Sequence, residues 1–346
     1  MSGNQTNLKE LKMPPVIYGT SGLGNLYVAL DEKVKQEIVR QHVLHSPKPA
    51  VFDSAGKYGA GLALEALGKS LKELGVKQDE VIISNKLGWV RTALKTPEPT
   101  FEKGVWRELK HDAVQKISYE GIMECFEQGN ELLQGYIPQL VSVHDPDEYM
   151  AQARSEAEAA KLYQDILGAY KALEELKKQG KVQAIGVGAK KWPVIQRIFR
   201  DVKLDWVMIA NSMTIMSHPE DLFAFMQTLE KEVVQIFNSA VFHGGFLTGG
   251  DYCDYKLVDA ANEEDRKKLQ WRAQFFSICK DFDVKPAEAA VQFGLCAPGV
   301  VSIALSSSNP ERVKENVDIA RVKVPAPFWK AMKEKGLIKA YYSCPE

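Results

Sequence analysis

The sequence predicts a closed (β/α)8 TIM barrel, an α/β fold with parallel strands, on two observations. Short apolar or β-branched runs alternate with amphipathic helical patterns along the chain, and strands covered on both faces should read as such continuous runs. The rival, an open doubly wound sheet, should carry a GxGxxG turn after its first strand, and "YGTSGLGN" (18–25) lacks that spacing. A length of 346 residues suits such a barrel, and no composition shift or low-complexity tract interrupts it, so residues 1–346 read as a single domain.

The strand candidates follow one another in order: "VIYGT" (16–20), "AVFDS" (50–54), "VIISNKL" (81–87) and "QLVSVHD" (139–145) in the first half. "VQAIGVGA" (182–189), "WVMIAN" (206–211), "VVQIFNS" (233–239) and "VSIAL" (301–305) complete the set. Helical patterns lie between them, for example "ALEALGKSLKEL" (63–74) and "LGAYKALEELKKQGK" (167–181). In the second, Leu167, Tyr170, Leu173 and Leu176 recur at helical spacing, and Gly180 is a natural stop. The polar, alanine-rich "QARSEAEAAKL" (152–162) reads as a solvated helix start. Two connections are unusually long, from Gly88 to about Ser118 and from about Val241 to Asn262. Both follow strands, so they belong over the C-terminal face, where barrel active sites lie, with long βα loops as lids.

Composition narrows the function classes. With 44 basic and 45 acidic side chains the chain has no electrostatic footprint for nucleic acid or an anionic membrane. No apolar run approaches the length of a membrane helix, and "MSGNQTNLKELKMPP" lacks the apolar core of a secretory signal. The cysteines, Cys125, Cys253, Cys279, Cys296 and Cys344, are odd in number and form no CxxC pair. That pattern fits reduced thiols and a cytoplasmic location, and it predicts no structural metal. Cys279 and Cys296 should pack as small hydrophobes.

Four strands offer polar groups at or just past their C-terminal ends: Asp53 and Tyr58 after the second, Lys86 in the third, His144 in the fourth. Singly, each has an ordinary explanation as a helix cap, a solvated cation or a satisfied structural imidazole. Together they converge on one mouth, because neighbouring barrel strands end side by side. A free phenol has a pKa of about 10, so a nearby cation should lower it to let Tyr58 exchange protons at neutral pH. Lys86 should supply that charge, Asp53 should keep Lys86 ionised, and His144 should hold a substrate oxygen toward Tyr58. Lys57, immediately before the tyrosine, has no partner assignable from sequence.

The segments "FDSAGKYGAGLALEALGKSL" (52–71), "IISNKLG" (82–88), "LVSVHDPD" (140–147) and "HGGFLTGG" (243–250) resemble, in order, motifs of the aldo-keto reductase superfamily. The resemblance runs from about residue 15 to 320, and the superfamily tetrad falls on Asp53, Tyr58, Lys86 and His144. The spacing of Tyr58, Gly59, Gly61, Glu65 and Gly68, with "ISYEGIMECFE" and "HDPD", is similar to the aldose 1-dehydrogenase branch. That branch includes L-fucose, L-galactose and D-threo-aldose dehydrogenases. It implies hydride transfer between NAD or NADP and a sugar, oxidised at C1 to its lactone, with Tyr58 as general acid/base.

The same resemblance implies a set of cofactor residues. Gly19 and Thr20 would lie by the nicotinamide ribose, and Phe237, Asn238, Ser239, Phe242 and Leu247 along the pyrophosphate. Ser306, Ser307, Ser308, Arg312, Glu315 and Asn316 would serve the adenosine phosphate. The sequence departs from the family after the fifth strand, where "GVGAKK" gives Gly188 and Ala189 in place of amide-binding side chains. Asn211 or Ser212 is the expected substitute. Ser306 stands where NADP-dependent members place a cation, which favours NAD, whereas Arg312 retains a guanidinium able to clamp phosphate. Trp89, Asp147 and His243 are candidate substrate contacts, and Trp106 reads as lid packing.

Two alternatives share parts of this reading. An NADPH-dependent reductase of small aldehydes or ketones would use the same four residues. A cofactor-binding regulatory or interaction subunit would have no need of Lys86 beside Tyr58. No GxSxG elbow or paired-histidine spacing supports hydrolysis or metal catalysis.

Overall fold

The computed structural model describes residues 13–343. Eight parallel strands alternate with helices and close into a barrel. They are β1 (Val16–Gly19), β2 (Ala50–Ala55), β3 (Val81–Leu87), β4 (Leu140–His144), β5 (Ala184–Ala189), β6 (Trp206–Ala210), β7 (Gln235–Ser239) and β8 (Val300–Leu305). Their order round the barrel is the order of the chain, with β8 returning to β1. All eight expected strands are present, each within two residues of its expected bounds. The strands are legible because β2, β3, β4 and β5 are buried at every position.

The chain divides into two compact units, one running to Met208 and including Ala304–Val317, the other holding Ile209–Ile303 and the chain from Asp318 onward. In the first unit, Phe52 of β2 and Ile83 of β3 pack with Ile38, Val39, Leu64, Leu67 and Val313 in one apolar cluster. The helix Leu62–Glu73 supplies Leu64, Leu67 and Leu71 at helical spacing on its buried face. The helix Glu156–Lys178 begins where the alanine-rich stretch predicts, capped by Ser155, whose hydroxyl accepts from the Glu158 amide. It ends just before Gly180, which adopts φ +70°. In the second unit, Phe293 stacks on Tyr342 at 3.9 Å, and His218 ties Thr214 to the Lys339 amide.

The two long connections contain structure of their own. Trp89–Ala93 pairs antiparallel with His111–Gln115, so the first insert is a hairpin carrying a long tip. A shorter hairpin, Tyr252–Cys253 with Lys256–Leu257, lies in the second. Cys125, Cys253 and Cys279 are buried free thiols, and Cys296 is half-buried. Cys344 lies outside the described residues. No helix among the described residues is long and apolar enough to cross a membrane.

Candidate active site

Parallel register sets the first constellation. Asp53 lies opposite Ser84, Ala55 opposite Lys86, and His144 is the last residue of β4. Asp53 is 2% exposed; one carboxylate oxygen pairs with the Lys86 ammonium and the other accepts from the Ser84 hydroxyl at 3.0 Å. Lys86 Nζ sits 4.7 Å from the centroid of the Tyr58 ring. The His144 ring meets that of Tyr58 edge-on, 5.7 Å between centroids at 87°. The four expected catalytic residues are thus brought together within the first unit.

Tyr58 is held by its turn. Gly59 has φ +60°, and a Cβ there would come within 2.3 Å of the Gly24 carbonyl oxygen. A Cβ on Gly24 would reach the Tyr58 carbonyl carbon at 2.8 Å. Only two bare backbones can approach this closely, which accounts for the glycine-rich run around the phenol. Thr20 lies beside it on the β1 side, donating to Ser54 at 2.8 Å.

The electrostatics depart from the expected pattern. Burial pushes the Tyr58 phenol well above its ordinary value, and the carboxylates of Asp53 and Asp145 push in the same direction. Lys57 and Lys190 oppose them without prevailing. The expected lowering by Lys86 is not realised: its ammonium faces the ring and pairs with Asp53, so Tyr58 is a neutral phenol. His144 is also neutral, since burial takes it well below the ordinary imidazole value despite Asp145 nearby. Its Nε2 lies 3.6 Å from Asp145, and its Nδ1 is buried with no protein partner.

Lys57 has a full set of partners that sequence reading missed. It is 2% exposed and pairs with Asp145 at 2.7 Å, Glu148 at 2.8 Å and Glu102 at 2.9 Å. Burial works against its charge, but these three carboxylates outweigh it and hold Lys57 well above the ordinary lysine value. Asp145 follows His144 with φ +52°, where its carboxyl is held well below the usual range: burial raises it, but the Lys57 and Lys190 ammonium groups prevail. Lys190, just past β5, pairs with Glu148 at 2.6 Å.

The expected substrate residues lie deeper than loop residues should. Trp89 is 8% exposed, packs on Phe101 and lies 4.9 Å beneath Lys57. Asp147 is 4% exposed and accepts from the Lys191 amide. His243, 3% exposed in the second unit, bonds Thr214 and Asp254. Trp89 opens the hairpin strand Trp89–Ala93, and Asp147 lies in the first turn of the helix Pro146–Met150. Trp106, read as packing, is the indole that reaches the phenol, with its ring centroid 6.0 Å from that of Tyr58.

The expected cofactor residues fall in both units. In the first, Tyr18 donates to the Ser307 carbonyl at 2.7 Å, and the Ser21 and Ser306 hydroxyls lie 3.3 Å apart. Gly19 is bare at the same place, a Cβ there meeting Ser306 only at 3.8 Å. Ser306, Ser308, Arg312 and Glu315 are exposed, with Asn316 half-buried on the helix Glu311–Asp318. This donor set of hydroxyls, a guanidinium and a helix start fits a nucleotide phosphate end. In the second unit, Phe237, Asn238 and Leu247 are wholly buried. Asn238 donates to the Met213 and Gly294 carbonyls, which makes its amide a brace for the loop. Ser239, Phe242 and Asn211 remain half-buried, Asn211 at φ +61°. Among the described residues, His243, Cys253 and Asp254 form a group able to approach one metal ion. Its histidine and aspartate are hydrogen-bonded to each other at 2.9 Å, and burial pushes the Cys253 thiol up to about 11.

A match to the aldo/keto reductase family spans residues 15–336. The chain belongs to the aldo/keto reductase family. It is 26% identical over 331 residues to pyridoxal 4-dehydrogenase of Microbacterium luteolum, covering 92% of this chain and 93% of that one. It is 25% identical over 343 residues to D-threo-aldose 1-dehydrogenase of a Pseudomonas species, covering 95% of each. An aldo-keto reductase from Bacillus halodurans, in its holo form, shares the fold with a TM-score of 0.66 at 20% identity, over 95% of this chain and 93% of that one. The protein is therefore an oxidoreductase, and aldo-keto reductases use NAD(P)H.

Proposed function

We propose that the protein is an NAD(P)-linked dehydrogenase that oxidises an aldose at C1, in one NAD(P)-binding barrel domain, with Tyr58 as the proton carrier. The observation that carries this reading is the placement of Asp53, Lys86 and His144 around one phenol on a turn locked by backbone contact. When bound, the nicotinamide supplies hydride acceptance or donation. Gly19, Thr20 and the Ser306 to Ser308 run with Arg312 would hold its nucleotide. Ser306 favours NAD, because a neutral hydroxyl suits a free ribose hydroxyl better than a phosphate.

In oxidation, Tyr58 must take the proton of the sugar hydroxyl, while neutral His144 holds the same oxygen by one hydrogen bond. Lys86 and Asp53 hold a fixed charge pair under the ring. Because the phenol rests protonated, the site holds the proton that reducing a carbonyl requires, which also supports reduction of small aldehydes as a second reading. A panel of aldoses and simple aldehydes with NAD, NADP and their reduced forms separates the two. Turnover of aldoses with NAD supports the dehydrogenase. NADPH-driven aldehyde reduction with no aldose oxidation would replace it with the reductase.

A further inference from the structure

Lys57 is an unusual residue to find next to a proton carrier. It is almost wholly buried, and its three carboxylate partners come from separate segments: Glu102 from the tip of the first insert, Asp145 beside His144, and Glu148 from the helix Pro146–Met150. Lys190 also serves Glu148 at 2.6 Å, but it stands 3.9 Å from Glu102. The contacts that depend most on Lys57 are therefore those to Asp145 and Glu102.

Glu102 in turn accepts from the Trp106 indole at 2.7 Å, and Trp106 lies against the Tyr58 ring. Phe101 fills the space between Trp89 and Trp106, with centroids 5.7 and 6.4 Å away. Backbone bonds from Tyr27 to Val105 and from Arg107 to Asn25 fasten the same tip to the segment that follows β1. The result is a closed circuit from Lys57 through Glu102 and Trp106 back to Tyr58, the next residue in the chain.

We propose that Lys57 is a positioning residue that clamps the insert tip, fixing Trp106 as an aromatic wall beside Tyr58 and thereby selecting ring-shaped sugar substrates over short-chain carbonyls. An indole face packs against the C–H face of a cyclic sugar, whereas a three-carbon aldehyde is too small to use it. The selection part rests on the sugar-dehydrogenase reading above; the clamp does not. Its second arm, to Asp145, steadies the group beside His144.

The test uses the full chain and three variants, Glu102→Gln, Lys57→Met and Lys57→Arg. Amide hydrogen exchange across residues 98–108 reads the clamp without any substrate. It should quicken by about tenfold or more in Glu102→Gln and Lys57→Met. With cofactor, KM for an aldopyranose should rise by about tenfold in Glu102→Gln with kcat within about threefold, the pattern of lost uniform binding. KM for glyceraldehyde should move by less than about twofold, because the small substrate does not use the wall. Lys57→Arg should restore most of the aldopyranose KM that Lys57→Met loses, which a purely packing role would not produce. Unchanged exchange in Glu102→Gln overturns the clamp even if Lys57→Met does not fold. Equal KM changes for both substrates overturn the selection. If the native protein oxidises no aldose, the sugar reading fails while the exchange measurement still decides the clamp.

Discussion

Lys86 and Lys57 are each 2% exposed, and both lie within reach of Tyr58, yet the regions around them are built differently. Lys86 faces one carboxylate, Asp53, which Ser84 also holds, and every member sits on a strand. Lys57 faces three carboxylates, and these arrive from an insert, a strand exit and a short helix. The floor of the site is thus a balanced pair fixed by sheet register. The rim is a network whose members can change with the connections that carry them. A barrel can keep its proton chemistry constant while its rim is rebuilt, because register depends on backbone hydrogen bonds and the rim on loop side chains.

The sharpest way to break this contrast is at the phenol. Tyr58→Phe should lower kcat by about 10³- to 10⁴-fold through loss of the proton carrier. Cofactor affinity, read by fluorescence titration, should stay within about threefold if the nucleotide is held elsewhere. Near-normal turnover in that variant would remove Tyr58 from the mechanism. Lys86→Met comes next. It strands a buried Asp53, so denaturant unfolding should show a loss of about 3–5 kcal/mol together with severely reduced turnover. A variant as stable as the native protein would mean that the floor is not the fixed element described here.

The pH profile is a gentler probe. Tyr58 must lose its proton to accept another, and its pKa stands above the ordinary 10.0, so the oxidation rate should climb with pH through the alkaline range. Reduction needs the protonated phenol and a neutral His144, so it should be flat between about pH 7 and 8. A reduction limb titrating near the ordinary imidazole value would show that His144 is not neutral. The smallest effect concerns stability away from both lysines. Burial pushes His42 down to about 4, so the unfolded chain binds its proton first as pH falls. Stability is then retained above the unfolded value of 6.5 and lost progressively from there toward pH 4, by about 3 kcal/mol from this residue. His42→Gln should flatten that part of the stability curve, provided that it keeps the bonds to Val51 and Ser46.

The floor was legible in the sequence and the rim was not, for the same physical reason. Strands buried on both faces write themselves as apolar runs, and Asp53, Lys86 and His144 interrupt those runs where no surface strand would place a charge. Register then carries them to one place. Lys57 sits outside any run, and its partners Asp145 and Glu148 are 88 and 91 residues away, in connections without period. The clue available was local: an acid directly follows His144, and a lysine directly precedes Tyr58, so pairing the two motifs would have joined them. The insert hairpin escaped notice because "WVRTA" and "HDAVQ" mix polar and apolar positions on a ribbon that is only partly covered. The direction of the Tyr58 shift was misjudged because sequence places a cation near a phenol without saying which part of the ring it faces.

The contact between Gly24 and Gly59 places Tyr58 by backbone alone, and this has a consequence for how the protein tolerates change. Only backbone atoms meet where these two segments touch, so no side chain sets the distance between them. At these two positions the tolerance vanishes: one methyl group on Gly59 would have to occupy space 2.3 Å from a carbonyl oxygen. Near the phenol, volume closes Gly24, Gly59 and also Gly56, where a Cβ would come within 2.4 Å of the Trp89 carbonyl oxygen.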